Sequence, residues 1–553
     1  MGGFLFLLCL SALGQGPEWS QQALIPDGGR WNPYGFSEDV FAANRARGQM
    51  HAHLYPVEST GILIPEKPLR EILDNTTWNP LVAILNEIFK DVTDIDSFEG
   101  LFRWAGLVPP PSADSPSQFL VALPDSFKNG DLYGFSRFKK NGVDVFTMSC
   151  AACHSDQLFG QTILGMSKRF PRANDFFIRA QRAAPLYSPW LVQLYTGATD
   201  AEMDFFDRAF ENLNAVGLRQ PIALGLDTSL AQVALSLNKR AATPWAEKDP
   251  FYENDPRPDN LDRYPGDSKP AVWWNTKYKT RWLSDGSVID GNPIYTNLLW
   301  NEIGRGSDLH ELDAWFAKNP DVVEELTTMV FSSQAPRFED FFAAEKINRD
   351  SAMSGEKIFL RTCTRCHGIY EKNWNQPNAE ILTWAEQLKT RRVVYPQPTR
   401  VYDVGTDTYR RRAMKSLERL NELQISKNQG IVVQAQEGYV PPPLVGIWAR
   451  WPYFHNNSIP TLCALLIRAD KRPKTYVAGP PINANRDFDS ECNGYPLGIK
   501  SPRDWNTNTD YLFDTRSNGL SNSGHDEGIF LRDGQELLSA EDKSDLIQFL
   551  QTL

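Results

Sequence analysis

The chain has 553 residues, 41% of them hydrophobic, and a formal charge of −11. That length supports two or more domains with real cores. The acidic balance argues against a nucleic-acid partner, because phosphate binding needs a basic surface.

At the N-terminus, "MGGFLFLLCLSALGQGPEW" carries an apolar run from Phe4 to Leu13 with small residues at Ala12 and Gly14. It is too short to span a bilayer and reads as a signal peptide over 1–14, the alternative being a buried N-terminal segment. No other stretch approaches the length of a membrane helix, so no stable span is expected once the signal is removed. Residues 15–125, rich in Pro, Asn and Trp, read as an extension wrapping the domain that follows.

The first chemical signal is "MSCAACHSDQL", and "RTCTRCHGIY" repeats its C-x-x-C-H pattern further on. This is the attachment signature of c-type haem. Two thiols three positions apart reach both vinyl groups of a porphyrin, and the adjacent histidine supplies the proximal imidazole. The chain is therefore expected to carry two covalently attached c-type haems, on Cys150, Cys153 and His154 and on Cys363, Cys366 and His367. The competing reading is zinc, but a closed zinc site wants four ligands held together, and here each cysteine pair brings its own histidine. Each motif is expected at the end of a helix in its own domain.

No histidine occurs between His154 and His310, so the far side of the first iron reads as open or weakly held. Met166, His51 and His53 are the candidates to close it. "DAEMDFFDRAFENLNAVG" reads as an amphipathic helix from Asp200, and "PWAEKDPFYENDPRPDNLDRYPGD" from Pro244 as a charged, Pro-rich loop. Trp273, Trp274, Tyr278 and Trp282 cluster midway between the motifs, and one of them, taken as Trp282, is expected to bridge the haems. Each is a packing residue by default. Glu302 is a candidate acid/base for moving a proton between two oxygens, although a glutamate there is ordinarily a solvated surface group.

"SAMSGEKIFLRTCTRCH" reads as a helix capped by Ser354 and running into Cys363. His455, in "GIWARWPYFHNNSIPTL", is the leading distal ligand for the second haem, with Met414 and His525 as alternatives. Cys463 and Cys492 are left over once the leader and the haem cysteines are counted. They pair as a disulfide in an oxidising compartment or remain two buried thiols. In the tail "LLSAEDKSDLIQFLQTL", Ser539 and Asp542 form a capping-box pattern before Leu546, Ile547, Phe549, Leu550 and Leu553 at helical spacing. The partner expected for that helix is the one entering the second motif.

These residues carry a resemblance to the bacterial di-haem cytochrome c peroxidase superfamily, over roughly residues 130 to 553. Its specific parts are "CAACH", "VWWNTKYKTRWLSDGS", "GEKIFLRTCTRCH", "VGTD", "YVPPPLVGIWARWPYFHNNSIPTL", "RPKTYVAG" and "FDTRSNGLSNSGHDEG". The "PYFHNNSIPTL" and "SNSGHDEG" segments and the wide motif separation are closest to the rubber-oxygenase branch. The resemblance implies His455 as the distal ligand of a six-coordinate relay haem and the first haem as the place where dioxygen or peroxide binds. The chain departs from the peroxidases in having Leu283 and Ser284 before Asp285, in displacing Trp282 by one step, and in lacking a histidine soon after the first motif. It also looks short for a rubber oxygenase.

The reading is a mainly α protein of two cytochrome c-like domains, 126–345 and 346–553, with long loops and an N-terminal extension. It is expected to be periplasmic or secreted and to act as an oxidoreductase, passing electrons between its haems and activating peroxide or dioxygen at the first. A small redox protein, basic or weakly charged, is the expected donor or acceptor. The rival is a pure electron carrier with both irons six-coordinate.

Overall fold

The computed structural model describes residues 16–553 apart from 77, 79, 94, 187, 227, 228, 260 and 262. The expected leader, Cys9 included, lies outside the described residues. Among the described residues helices dominate, joined by long irregular segments, and strands are confined to sheets of two or three. This is the mainly α architecture expected from the sequence. Among the described residues no helix is long and apolar enough to cross a membrane.

The second motif sits at a helix end. Helix Arg349–Thr362 begins upstream of Ser354, because the Asn348 side chain accepts from the Ser351 N–H and so satisfies one of the helix's unpaired donors. The helix runs directly into Cys363. It lies along the terminal helix Ala540–Gln551, whose capping box between Ser539 and Asp542 is formed. Phe359 and Phe549 meet there with ring centroids 5.2 Å apart. A Cβ on Gly355 would stand 2.0 Å from the Asp545 carbonyl oxygen, so only glycine lets the helices come this close. Burying Leu546, Ile547, Phe549 and Leu550 in that seam stabilises it by about 1.5–3 kcal/mol per side chain.

The first motif is delivered differently from expectation. Strands Phe135–Lys140 and Val143–Met148 pair antiparallel about Asn141-Gly142, both at positive φ (49° and 83°), the dipeptide that a two-residue hairpin turn requires. Buried Val143 and Val145 flank exposed Asp144, the alternation of a half-buried strand, and Ile64–Pro65 adds a third strand. The chain leaves Met148 and turns at once through a short 3₁₀ turn, Cys150–Ala152. A hairpin, not a helix, therefore holds this motif.

The extension packs through helix Glu38–Leu54 on helix Pro320–Ser332. One apolar core joins Ala52, Tyr55 and Val57 to the helices around Leu298 and Leu326, and it also takes in Ala413, Met414 and Leu417 from beyond the second motif. Strands Val288–Asp290 and Val432–Val433 stitch the same two regions together. A second core combines Leu158, Ile163, Met166 and Trp274 with residues from Phe338 to Leu553. The two halves of the sequence thus exchange segments across the boundary at 345/346.

Candidate haem centres

All four motif cysteines and both motif histidines line one continuous cavity of about 960 Å³, at the upper end of the range usual for ligand sites, ~300–1,000 Å³. The two histidines are held in the same way. His154 donates from Nδ1 to the Ala271 carbonyl oxygen at 2.9 Å, and His367 donates from Nδ1 to that of Pro442, also at 2.9 Å. A carbonyl can only accept, so the proton is fixed on Nδ1 and Nε2 keeps its lone pair for a metal. Burial lowers both imidazoles below their ordinary range, His154 to about 4.

Burial also pushes the Cys150 thiol up to about 11 and that of Cys363 to about 12. Thiols so protonated are poor candidates for a redox dithiol, which relies on a depressed pKa. Among the described residues no three His, Cys, Asp or Glu side chains converge as a closed ion site requires. The cavity's electrostatics fit a different occupant. Among the described residues its lining holds no Asp or Glu, while Lys269, Lys279, Arg365, Arg450 and Arg532 face it with no carboxylate partner. Lys269, Lys279 and Arg450 are half-buried. Burial and then the neighbouring Arg450 push the Lys279 ammonium down to about 8 and that of Lys269 well below its ordinary range. Half-buried, mutually repelling cations call for anions, and haem propionates would supply them.

The ring brought up to His367 is that of His525, with centroids 6.2 Å apart. Two imidazoles on one ion, with metal–nitrogen bonds of roughly 2.0–2.1 Å and about 1.2 Å from each nitrogen to its ring centre, stand about 6.4 Å apart. His525 sits in the left-handed region (φ 56°), uncommon for a residue with a side chain, and its N–H donates to Val404 O at 2.7 Å. The expected distal ligand, His455, also lines the cavity. Its ring stacks on Tyr439 at 4.1 Å and its carbonyl accepts from the Lys269 N–H. Its Nε2 is buried without a partner, and burial holds the imidazole down at about 3. It stands at the junction of the segments that carry Ala271 and Pro442.

Among the described residues no second histidine ring packs against His154. Its ring neighbour is Trp273, at 5.2 Å. His51 binds Glu325, His53 packs on Tyr133, Met166 lies in the core outside the cavity, and Met414 is fully buried in the other core. The lining around the first motif is instead aliphatic, aromatic and amide, from Ile294, Leu298, Trp300 and Asn301 on helix Pro293–Ile303, with Met148 and Met329.

The bridge also differs from the sequence expectation. Trp273 lies against His154, Trp274 donates from Nε1 to Val445 O at 3.0 Å, and Asn275 donates to Pro443 O at 2.9 Å, next to the carbonyl that holds His367. Trp282 donates to Gly291 O, packs with Trp19 and Phe331 in the first core, and also lines the cavity. Glu302 is fully buried but does not line the cavity. Its carboxylate accepts from Tyr55, Thr60, Gly61 and Ser307, which anchors the extension and leaves it no free lone pair for acid/base work. Cys463 and Cys492 form a disulfide.

Residues 438–477 match the model of a family described as RoxA-like, cytochrome c-like. The match contains Tyr439, Pro442 and His455. Over 124 residues the chain is 37% identical to the uncharacterized protein y4iJ of Sinorhizobium fredii (strain NBRC 101917 / NGR234), covering 22% of this chain and 19% of that protein. Over 129 residues it is 33% identical to the uncharacterized protein y4iM of the same organism, covering 21% and 28%. The chain therefore spans less than a third of either relative. The family match gives residues 438–477 a relationship to RoxA-like cytochrome c domains, and such a domain implies covalently bound c-type haem.

Proposed function

We propose that the chain is an exported di-haem c-type cytochrome acting as an oxidoreductase, with one relay haem and one haem open to peroxide or dioxygen. The haem irons supply one-electron chemistry and, where an axial face is free, a place for an oxygen ligand. Cys363, Cys366 and His367 hold the relay haem. His525, whose ring is brought up to His367, would hold that haem's iron from the other side in place of His455. Cys150, Cys153 and His154 hold the other haem. Lys269, Lys279 and Arg450 neutralise the propionates between them, and the Trp273–Asn275 segment joins the two histidine walls. His455 contributes a neutral imidazole at that junction.

The observation that carries this reading is the asymmetry of the two motif histidines. His367 faces another imidazole at a two-ligand spacing, and His154 faces none. Intact-mass measurement of the mature protein should show two added haem masses. The reduced protein should bind one equivalent of carbon monoxide. No tetrapyrrole mass ends the reading, and two equivalents bound would remove His525 as a ligand. The rival electron carrier is favoured by one feature, the thioethers of Met148 and Met329 in the lining, and binding of no carbon monoxide would establish it.

A further inference from the structure

The cavity reaches the surface beside the second motif. Arg361, Arg365, Gly528, Arg532 and Leu537 all line it and are all exposed. No carboxylate lines this opening among the described residues. Arg361 is paired with Asp542 at 3.4 Å, but Arg365 and Arg532 have no acidic partner. The nearby acids are engaged elsewhere: Glu536 binds Lys543, and Glu527 accepts from the backbone N–H groups of Asp533 and Gly534. Asp533 follows Arg532 in the turn but does not line the opening. Leu537, at 50% exposure, puts an apolar side chain at the centre, and Leu360 (45%) and Ile369 (41%) are exposed in the segment that carries the motif.

An unneutralised pair of arginines around an apolar centre stands out on a chain of net charge −11. Lys269, Lys279 and Arg450, half-buried in the same lining, already offer the propionates counter-charges. Arg365 and Arg532 are left over. We infer that this opening docks an acidic, one-electron redox protein whose carboxylates meet Arg365 and Arg532 and whose redox group comes edge-on to the second haem. The inference rests on the relay reading and goes beyond it by reversing the partner's charge from that expected of the whole chain. Local charge decides encounter because the Debye length is only about 8 Å at physiological ionic strength. Each encounter moves one electron: the partner is oxidised by one, the second haem's iron is reduced from the ferric to the ferrous state, and no bond or proton moves.

Stopped-flow reduction of the holoprotein tests this with two donors, a reduced plant-type ferredoxin, which is acidic, and hexaammineruthenium(II), a cation. With ferredoxin the rate should fall roughly tenfold between about 10 mM and 150 mM salt. Arg532→Glu should slow ferredoxin by a similar factor at low salt and speed the ruthenium complex. Arg365→Glu added to it should deepen both effects. Ferredoxin rates indifferent to salt and to Arg532→Glu overturn the docking site. The relay haem is assessed separately by electron paramagnetic resonance and dithionite titration. A low-spin, reducible second haem that ignores donor charge removes the docking site alone, whereas a second haem that is absent or high-spin removes the relay reading and the docking site with it.

Discussion

Replacing His525 with alanine distinguishes the two imidazoles that compete for the relay haem. The structure sets His525 6.2 Å from His367, the spacing of two ligands on one ion, and stacks His455 on Tyr439. On the proposed count of two irons per chain, the oxidised wild type should show half its iron low-spin and half high-spin by electron paramagnetic resonance. His525→Ala should convert the low-spin half, leaving essentially all the iron high-spin, while the haem mass stays unchanged. Added imidazole should return the low-spin signal, because the deleted ring leaves a space of its own shape facing the iron; a merely structural histidine would show no such rescue. His455→Ala should keep the half-and-half ratio. A low-spin signal that survives His525→Ala and vanishes in His455→Ala would refute the assignment.

Trp273→Phe should slow electron exchange between the haems several-fold in flash-photolysis measurements, while Trp282→Phe leaves it unchanged; equal rates for Trp273→Phe and wild type would return that ring to packing. His53 is buried with both ring nitrogens unpartnered, and burial holds its imidazole near 3, so it stays neutral in the fold and is protonated on unfolding below about 6.5. A depressed histidine gives stability that is full above the unfolded pKa and is lost as pH falls towards the folded value. His53's share of the loss is about 2 kcal/mol between pH 7 and pH 5, seen as a fall in the urea midpoint that His53→Leu makes smaller by that amount; an unchanged fall would refute it. Gly355→Ala forces a Cβ to 2.0 Å from the Asp545 carbonyl oxygen, so the two helices must part. That should cost about 1–3 kcal/mol in urea unfolding, and an unchanged midpoint would refute the packing described for that seam.

Much of the fold was legible in local pattern. The capping box at Ser539, the apolar face of the terminal helix and its pairing with the helix into Cys363 all follow from spacing, since a period near four residues dictates which side chains must be covered. The helix from Asp200 was equally plain, and it begins at a Thr199–Glu202 capping box. The hairpin before Cys150 carries its own signal in Asn141-Gly142, but the C-x-x-C-H pattern says nothing of whether a helix or a turn delivers it.

The two C-x-x-C-H motifs of the proposed haem sites were legible in the sequence by itself, because thioether chemistry needs two thiols and an imidazole within five consecutive residues, and no folding is required to see them. Only the tertiary structure decided what stands opposite each motif histidine, which tryptophan lies against His154, and that Glu302 is an anchor. Those are questions of direction across hundreds of residues: His525 reaches His367 through a left-handed turn, and Trp273 reaches His154 through a backbone bond to Gly165. A ligand separated from its iron by a long loop leaves no periodic trace. Its position is set by the packing of the whole chain around one cavity.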